Sequence, residues 1–287
     1  MNDNEIHFYD DDHHFNKKWL LLILAIAIVI ALIHMGYHHS WNDGKAITGK
    51  QETTEENREI DIPIATDTTI VNTLLSKKSD GNLLMLDTLI NDIPITLFVP
   101  LHAKPQLRLG YDVLSDTSNI VLCLAAADAG KHDKIVGAYV CNGRLVSNGL
   151  SKKGFCAITN DSVTIGMAES SPFFEKAIND SGYFFRQRTL VDCGHIIKNE
   201  LRGQFLCRAL CKKEGLTCVV ICRERCSLYD FAQILTDIGV THAISLQSAK
   251  NAKGWYHTME GHVNLLGDWS SRKFPKSANY IVWSKSE

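Results

Sequence analysis

The chain has 287 residues, of which 45% are apolar and 22% charged, and its formal net charge is −2. That length fits one large or two small domains with a sizeable core, and the near-neutral balance excludes the basic excess of a dedicated nucleic-acid binder. Six prolines and ordinary charge content exclude a largely disordered chain, while nine cysteines fall far short of a disulfide scaffold.

From Trp19 to Ile33 every residue is apolar, and His34, Met35, Gly36 and Tyr37 follow. As a helix rising ~1.5 Å per residue, positions 19–37 reach about 28 Å, close to the hydrocarbon thickness of a bilayer. Trp19 and Tyr37 stand at the two ends, where amphipathic rings favour the headgroup region. A cleaved signal peptide is the competing reading. Asp10, Asp11 and Asp12 in its n-region, and the lack of a small-x-small site over residues 34–39, weigh against it. Lys17 and Lys18 precede the span and the next lysine is Lys45, which places the N-terminus in the cytoplasm and the rest across the inner (plasma) membrane, in the periplasm or outside the cell. His13 and His14 are separated from His38 and His39 by this segment, so a metal site shared among them is not expected. The organisation expected is a cytoplasmic tail over 1–18, a transmembrane anchor over 19–37, a polar linker over 38–66 and one globular domain over 67–287.

In that domain, residues 82–90 and 93–100 read as strands joined by Asn91-Asp92, and 119–127 is a buried apolar run. Residues 137–141 and 144–147 flank Asn142-Gly143, the strongest short hairpin signal, and a second hairpin runs over 154–166 around Asn160-Asp161. A short helix at 172–178 precedes the aromatic run Tyr183-Phe184-Phe185. Strands follow at 188–192, around 205–210 and at 217–222. The best helix covers 227–238, with Ser227 as cap, Asp230 in the first turn, and Leu228, Phe231, Ala232, Leu235 and Ile238 on one face. Gly239 ends it, and a strand at 243–246 follows. Many short strands with two or three helices predict a single α/β or α+β domain, built on a mixed, largely antiparallel sheet.

All nine cysteines lie between Cys123 and Cys226. Buried small hydrophobes, disulfides to other strands, a metal site and thiol-redox chemistry are the readings open to them. Cys218 and Cys222 on one strand would stand about 13 Å apart at ~3.3 Å per residue, beyond the roughly 7 Å reach of a disulfide.

Polar residues 247–251 follow a buried strand, a position suited to a cleft and equally to a solvated loop. Six stretches between Leu122 and Trp255 carry a resemblance. They are Ala125–Gly130 (AAADAG), Val136–Val146 with its Asn142-Gly143, the 154–166 hairpin, Thr189–Gly194 (TLVDCG), Arg208, and the helix and strand of 227–246. In this order they resemble the phosphodiester glycosidase family, the domain of a mammalian enzyme that removes GlcNAc from GlcNAc-1-phospho-mannose diesters. Two departures stand out. The family's first-turn Asn is Asp128, and its Asp-Gly-Gly-Gly-Ser is Gln247-Ser248-Ala249-Lys250-Asn251. A neutral amide cannot exchange a proton as a carboxylate does, and glycines that admit a phosphate have gained side chains. The resemblance implies Asp128 as the catalytic carboxylate and Arg208, Gln247, Ser248 and Lys250 as substrate-binding residues. The alternatives for the same side chains are a turn cap at Asp128 and a structural ion pair at Arg208. The function expected is a membrane-anchored envelope hydrolase of a sugar-phosphate diester in a surface or cell-wall glycan, without cofactor or metal. The alternative is a non-catalytic descendant that binds a glycan or an envelope partner.

Overall fold

Residues 82–110, 118–247, 254–258, 261–266 and 277–286 are described by the computed structural model, within a unit spanning Ile62–Glu287. The chain begins with strands β1 (Leu83–Ile90), β2 (Ile93–Pro100), β3 (Ala103–Leu109) and β4 (Ile120–Ala125). Two hairpins follow, β5 (Tyr139–Cys141) with β6 (Arg144–Ser147), and β7 (Gly154–Thr159) with β8 (Ser162–Met167). Helix α1 (Pro172–Asn179) leads to β9 (Tyr183–Gln187), β10 (Thr189–Asp192) and β11 (His195–Ile196). Next come β12 (Arg208–Lys213), β13 (Leu216–Cys222), helix α2 (Leu228–Asp237) and β14 (His242–Ser245). β15 (Gly254–His257), β16 (Val263–Leu265) and β17 (Asn279–Lys285) complete the set.

Turn chemistry sets the hairpins. Both central residues have positive φ at Asn91-Asp92, Asn142-Gly143, Asn160-Asp161, Cys193-Gly194 and Glu214-Gly215, the requirement of a two-residue turn that matches strand twist. Helix α2 starts at Ser227, whose hydroxyl oxygen accepts the Asp230 backbone N–H at 3.0 Å while its O–H donates to the Asp230 carboxylate at 2.7 Å.

Every pairing among the described strands is antiparallel, and there are three sheets, not one mixed sheet. The first runs β1-β2-β13-β12-β14-β10-β11, the second β16-β15-β4-β17-β3 and the third β6-β5-β9-β7-β8. The fold is therefore mostly β with two α-helices among the described residues, an α+β class. Helix α2 covers one face of the first sheet, where Phe231, Ile234 and Leu235 pack on Leu190, Ala209 and Val220. The opposite face, with Phe98, Leu210, Val219 and Ile244, packs on Leu122 and Trp283 of the second sheet and Ile158 and Phe185 of the third. α1 closes the outer face of the third sheet through Ala177 against Phe155 and Phe184. Strands buried on both faces read as continuous apolar runs, which is why β4 and β13 show no alternation.

Some elements differ from expectation. The strand expected around 205–210 begins at Arg208, with Phe205 in a lone bridge to Cys226. Tyr183-Phe184-Phe185 opens a central strand of the third sheet. β3, β15, β16 and β17 had no strong local signal. The expected tail, anchor and linker over 1–66 lie outside the described residues; among those described, no helix is long and apolar enough to cross a membrane.

No disulfide joins the cysteines. Cys218 faces Cys211 across the β12–β13 pair, and Cys222 and Cys226 bring their sulfurs to 3.3 Å. Hydrogen-bonded contact with the Cys207 and Cys222 thiols pulls the Cys226 thiol well below its usual range, and the same contacts push Cys207 and Cys222 up.

Candidate ionic cleft

Asp128 is delivered by the turn that ends β4. Asn279, fully buried on β17, holds that turn: its side-chain oxygen accepts the Ala127 N–H at 2.7 Å and its amide nitrogen donates to the Ala127 carbonyl at 3.0 Å. On the far side, Val136 N donates to the Asp128 carbonyl at 2.8 Å. Both neighbours of the loop are thus pinned, and the carboxylate projects from a fixed backbone.

Its partners come from two other places in the chain. The Lys152 ammonium donates to Asp128 Oδ2. Gln187 Nε2 donates to Oδ1 at 3.0 Å. The circuit closes because Gln187 Oε1 accepts from Lys152 Nζ at 2.6 Å, and also from the Arg188 backbone N–H at 3.1 Å. Gln187 is fully buried, and its amide is oriented by these donors and acceptors. The Lys152 side chain is 9% exposed and that of Asp128 35%, so the pair has one dry and one wet member. Burial lowers the Lys152 pKa, the Asp128 hydrogen bond and charge oppose that, and the Arg188 charge adds to the lowering.

Lys152 is itself positioned by Arg186. This guanidinium, 3% exposed as a residue, donates from Nη1 to the carbonyls of Lys152 at 3.0 Å, Lys153 at 3.3 Å and Ala168 at 2.7 Å, and from Nη2 to Glu169 at 2.7 Å. It ties together the two open ends of the β7–β8 hairpin.

Asp128 and Arg208 line one narrow cleft with Arg188, Leu201, Cys207, Leu228, Ser245 and Leu246. Its free volume of about 10 Å³ is close to the least that holds one water. The cleft opens where three neighbouring strands end. Ser245 N donates to the Arg188 carbonyl at 2.8 Å and Leu246 N to that of Arg208 at 2.9 Å, so the end of β14 is held between β10 and β12. Burial lowers the Arg208 pKa to about 10, which still leaves it cationic at neutral pH. Two guanidinium residues therefore line the cleft with Asp128, whose carboxylate is paired with the Lys152 ammonium.

The other expected residues fare differently. Gln247 reaches this region through its backbone, donating to the Ala126 carbonyl at 2.8 Å, but its side-chain oxygen accepts from Ser277 Oγ at 2.7 Å. Ser277 also lines a roomier groove of about 720 Å³ with Leu109, His132, Ile135 and Ser147. Ser248 and Lys250 lie outside the described residues. Lys152, Gln187 and Arg188 were not expected. For Gln187 and Arg188 the signal was the polar triplet Arg186-Gln187-Arg188 interrupting an apolar run; Lys152, in Ser151-Lys152-Lys153, had none.

An antiparallel, helix-poor domain with a cationic cleft at strand ends is the class this geometry defines. Among solved structures, the fold is similar to the zebrafish N-acetylglucosamine-1-phosphodiester alpha-N-acetylglucosaminidase catalytic domain, auto-inhibited by its pro-peptide. The TM-score is 0.52 at 14% identity, over 74% of this chain and 86% of that one. It is also similar to a hypothetical protein from Synechocystis, with a TM-score of 0.53 at 11% identity, over 70% of this chain and 61% of that protein. At these identities the likeness is one of fold. No protein-family model matches the sequence, and no curated protein matches it.

Proposed function

We propose that the chain is an envelope hydrolase that cleaves a sugar-phosphate diester in a surface or cell-wall glycan. The cluster of Arg188, Arg208 and Lys152 around Asp128 carries this reading. Glycosidases that expel an alcohol use two carboxylates, one as acid. A phosphoryl leaving group is different: it departs as an anion, its second pKa near 6, and needs no proton. One carboxylate beside cations is the complement such a reaction requires. Arg208 would hold the phosphoryl oxygens, as a guanidinium fork does well. Asp128 would take a proton from water as it attacks the anomeric carbon, while the carbon–oxygen bond to phosphate breaks and the electron pair leaves with the phosphate. Gln247, Ser248 and Lys250 are assigned to the sugar and the remaining phosphate oxygens, and Leu201, 40% exposed at the cleft, must swing aside to admit them.

One observation favours a second reading, a non-catalytic binder. Gln247 stands where a carboxylate would be expected from the resemblance, and its oxygen is engaged by Ser277. Full-length protein incubated with a panel of GlcNAc-1-phosphate diesters separates the two. Released sugar supports hydrolysis, calorimetric binding without product supports the second reading, and neither binding nor product overturns both.

The apolar segment 19–37 is assigned as an uncleaved anchor that holds the domain on the outer side of the membrane. Protease added to intact spheroplasts should digest residues 67–287 and spare the N-terminal tail; full protection of the domain would reverse the topology.

A further inference from the structure

At the opposite end of β10 and β14 from the cleft, three different ligand types meet. Asp192 ends β10, Cys193 follows it in the turn, and His242 opens β14. We propose that Asp192, Cys193 and His242 form a site for a divalent transition metal of the zinc class.

The distances fit a chelate. Asp192 Oδ1 lies 3.8 Å from His242 Nε2, Cys193 Sγ lies 3.7 Å from the same nitrogen, and all three ligand atoms fall within 4.8 Å of one another. Ligands around a tetrahedral zinc at about 2.0–2.3 Å stand roughly 3.3–3.8 Å apart. The same residue types can also form a nucleophile relay, but that arrangement places the carboxylate on one imidazole nitrogen and the thiol on the other. Here both converge on Nε2, and Nδ1 faces Thr241 Oγ1 at 3.2 Å. A polar partner on the far nitrogen is what orients a metal-ligating histidine. One thiolate, one imidazole and one carboxylate form a borderline-soft set, suited to zinc and not to magnesium or calcium.

The site is built on fixed backbone. Cys193 and Gly194 occupy positive φ in the two-residue turn, and Gly194 N donates to the Thr241 carbonyl at 2.8 Å. Thr241 is held in turn by its N–H and O–H donating to the Lys212 carbonyl, at 2.8 and 3.1 Å. The nearest cation in register with His242 is Lys212, whose ammonium is turned to the Gly215 carbonyl at 3.4 Å. His195 is the cross-strand partner of Asp192 but is not among the three converging ligands, so the fourth position falls to water. His242 and Leu246 are about 13 Å apart along the strand at ~3.3 Å per residue, so this site and the cleft do not share ligands.

The test is cobalt titration of the reduced, chelator-treated full-length protein, read by thiolate-to-cobalt charge-transfer absorption and by displacement with zinc. One equivalent should bind with that absorption. Cys193→Ser, at an exposed position, should abolish it, and Thr241→Val should weaken binding roughly 10-fold by freeing the imidazole. Absence of the charge-transfer band in the wild type overturns the proposal. So does a band of equal strength in Cys193→Ser, which would assign the metal to other thiols.

Discussion

Asp128→Asn is expected to reduce turnover by roughly 10²- to 10⁴-fold, the usual share of a positioned acid or base, while leaving affinity for the phosphate ligand unchanged or tighter. The two effects have opposite signs for a physical reason. The amide cannot accept a proton from water, so the chemical step suffers. The same substitution removes the one negative charge among Arg188, Arg208 and Lys152, so an anion meets less repulsion. Stability should fall as well, by about 1–3 kcal/mol. Both carboxylate oxygens accept from donors, Lys152 and Gln187, and the new NH₂ must face one of them. A purely structural Asp128 would show the loss of stability without the split between turnover and affinity. Turnover within tenfold of wild type would remove Asp128 from the chemistry.

Arg186→Met is expected to be the most damaging single change to the fold near the site, at about 1–3 kcal/mol for each buried carbonyl left unsatisfied. Four backbone carbonyls accept from this one guanidinium, and its carbon atoms pack beside Phe184, with the charged centre 5.8 Å from the ring. Methionine fills the volume but removes this donor from the carbonyls of Lys152, Ala168 and Glu169, while that of Lys153 still accepts from Ala168 N at 2.9 Å. Thermal melting should drop by roughly 10 °C, and ligand affinity should drop with it because Lys152 is one of the residues held. Arg186→Lys should recover only part, since a single ammonium cannot span the 152–153 and 168–169 segments together. An unchanged melting temperature would show that water replaces the guanidinium without cost.

The elements that could be read from sequence are those whose signal is local. Asn91-Asp92, Asn142-Gly143 and Asn160-Asp161 each fix a turn within four residues, and Ser227 with Asp230 fixes the start of α2. The elements that could not be read depend on distant partners. β9 is buried on both faces even at Arg186 and Gln187, so it shows neither alternation nor a clean apolar run. The division into three sheets depends on pairings such as β4 with β17 and β2 with β13, which no local pattern encodes. The site divides the same way. Asp128 and Arg208 were found through the motifs around them, and they do line one cleft. Lys152 and Gln187 hold the Asp128 carboxylate only because folding brings the approach to β7 and the end of β9 beside the β4 turn. Gln247 lay beside the expected place but turned its side chain towards Ser277, a partner thirty residues away that its own neighbours do not announce.

β17 occupies an interior position in the second sheet, between β4 and β3, although it is the last strand described. Its Asn279 also pins the turn that carries Asp128. During synthesis, therefore, β3 and β4 wait without their shared neighbour until residues 279–285 have been made, and contacts of such long sequence separation form slowly. The cleft cannot assemble ahead of the sheet that holds its turn. A nascent chain built this way reaches its native register only after β17 has emerged.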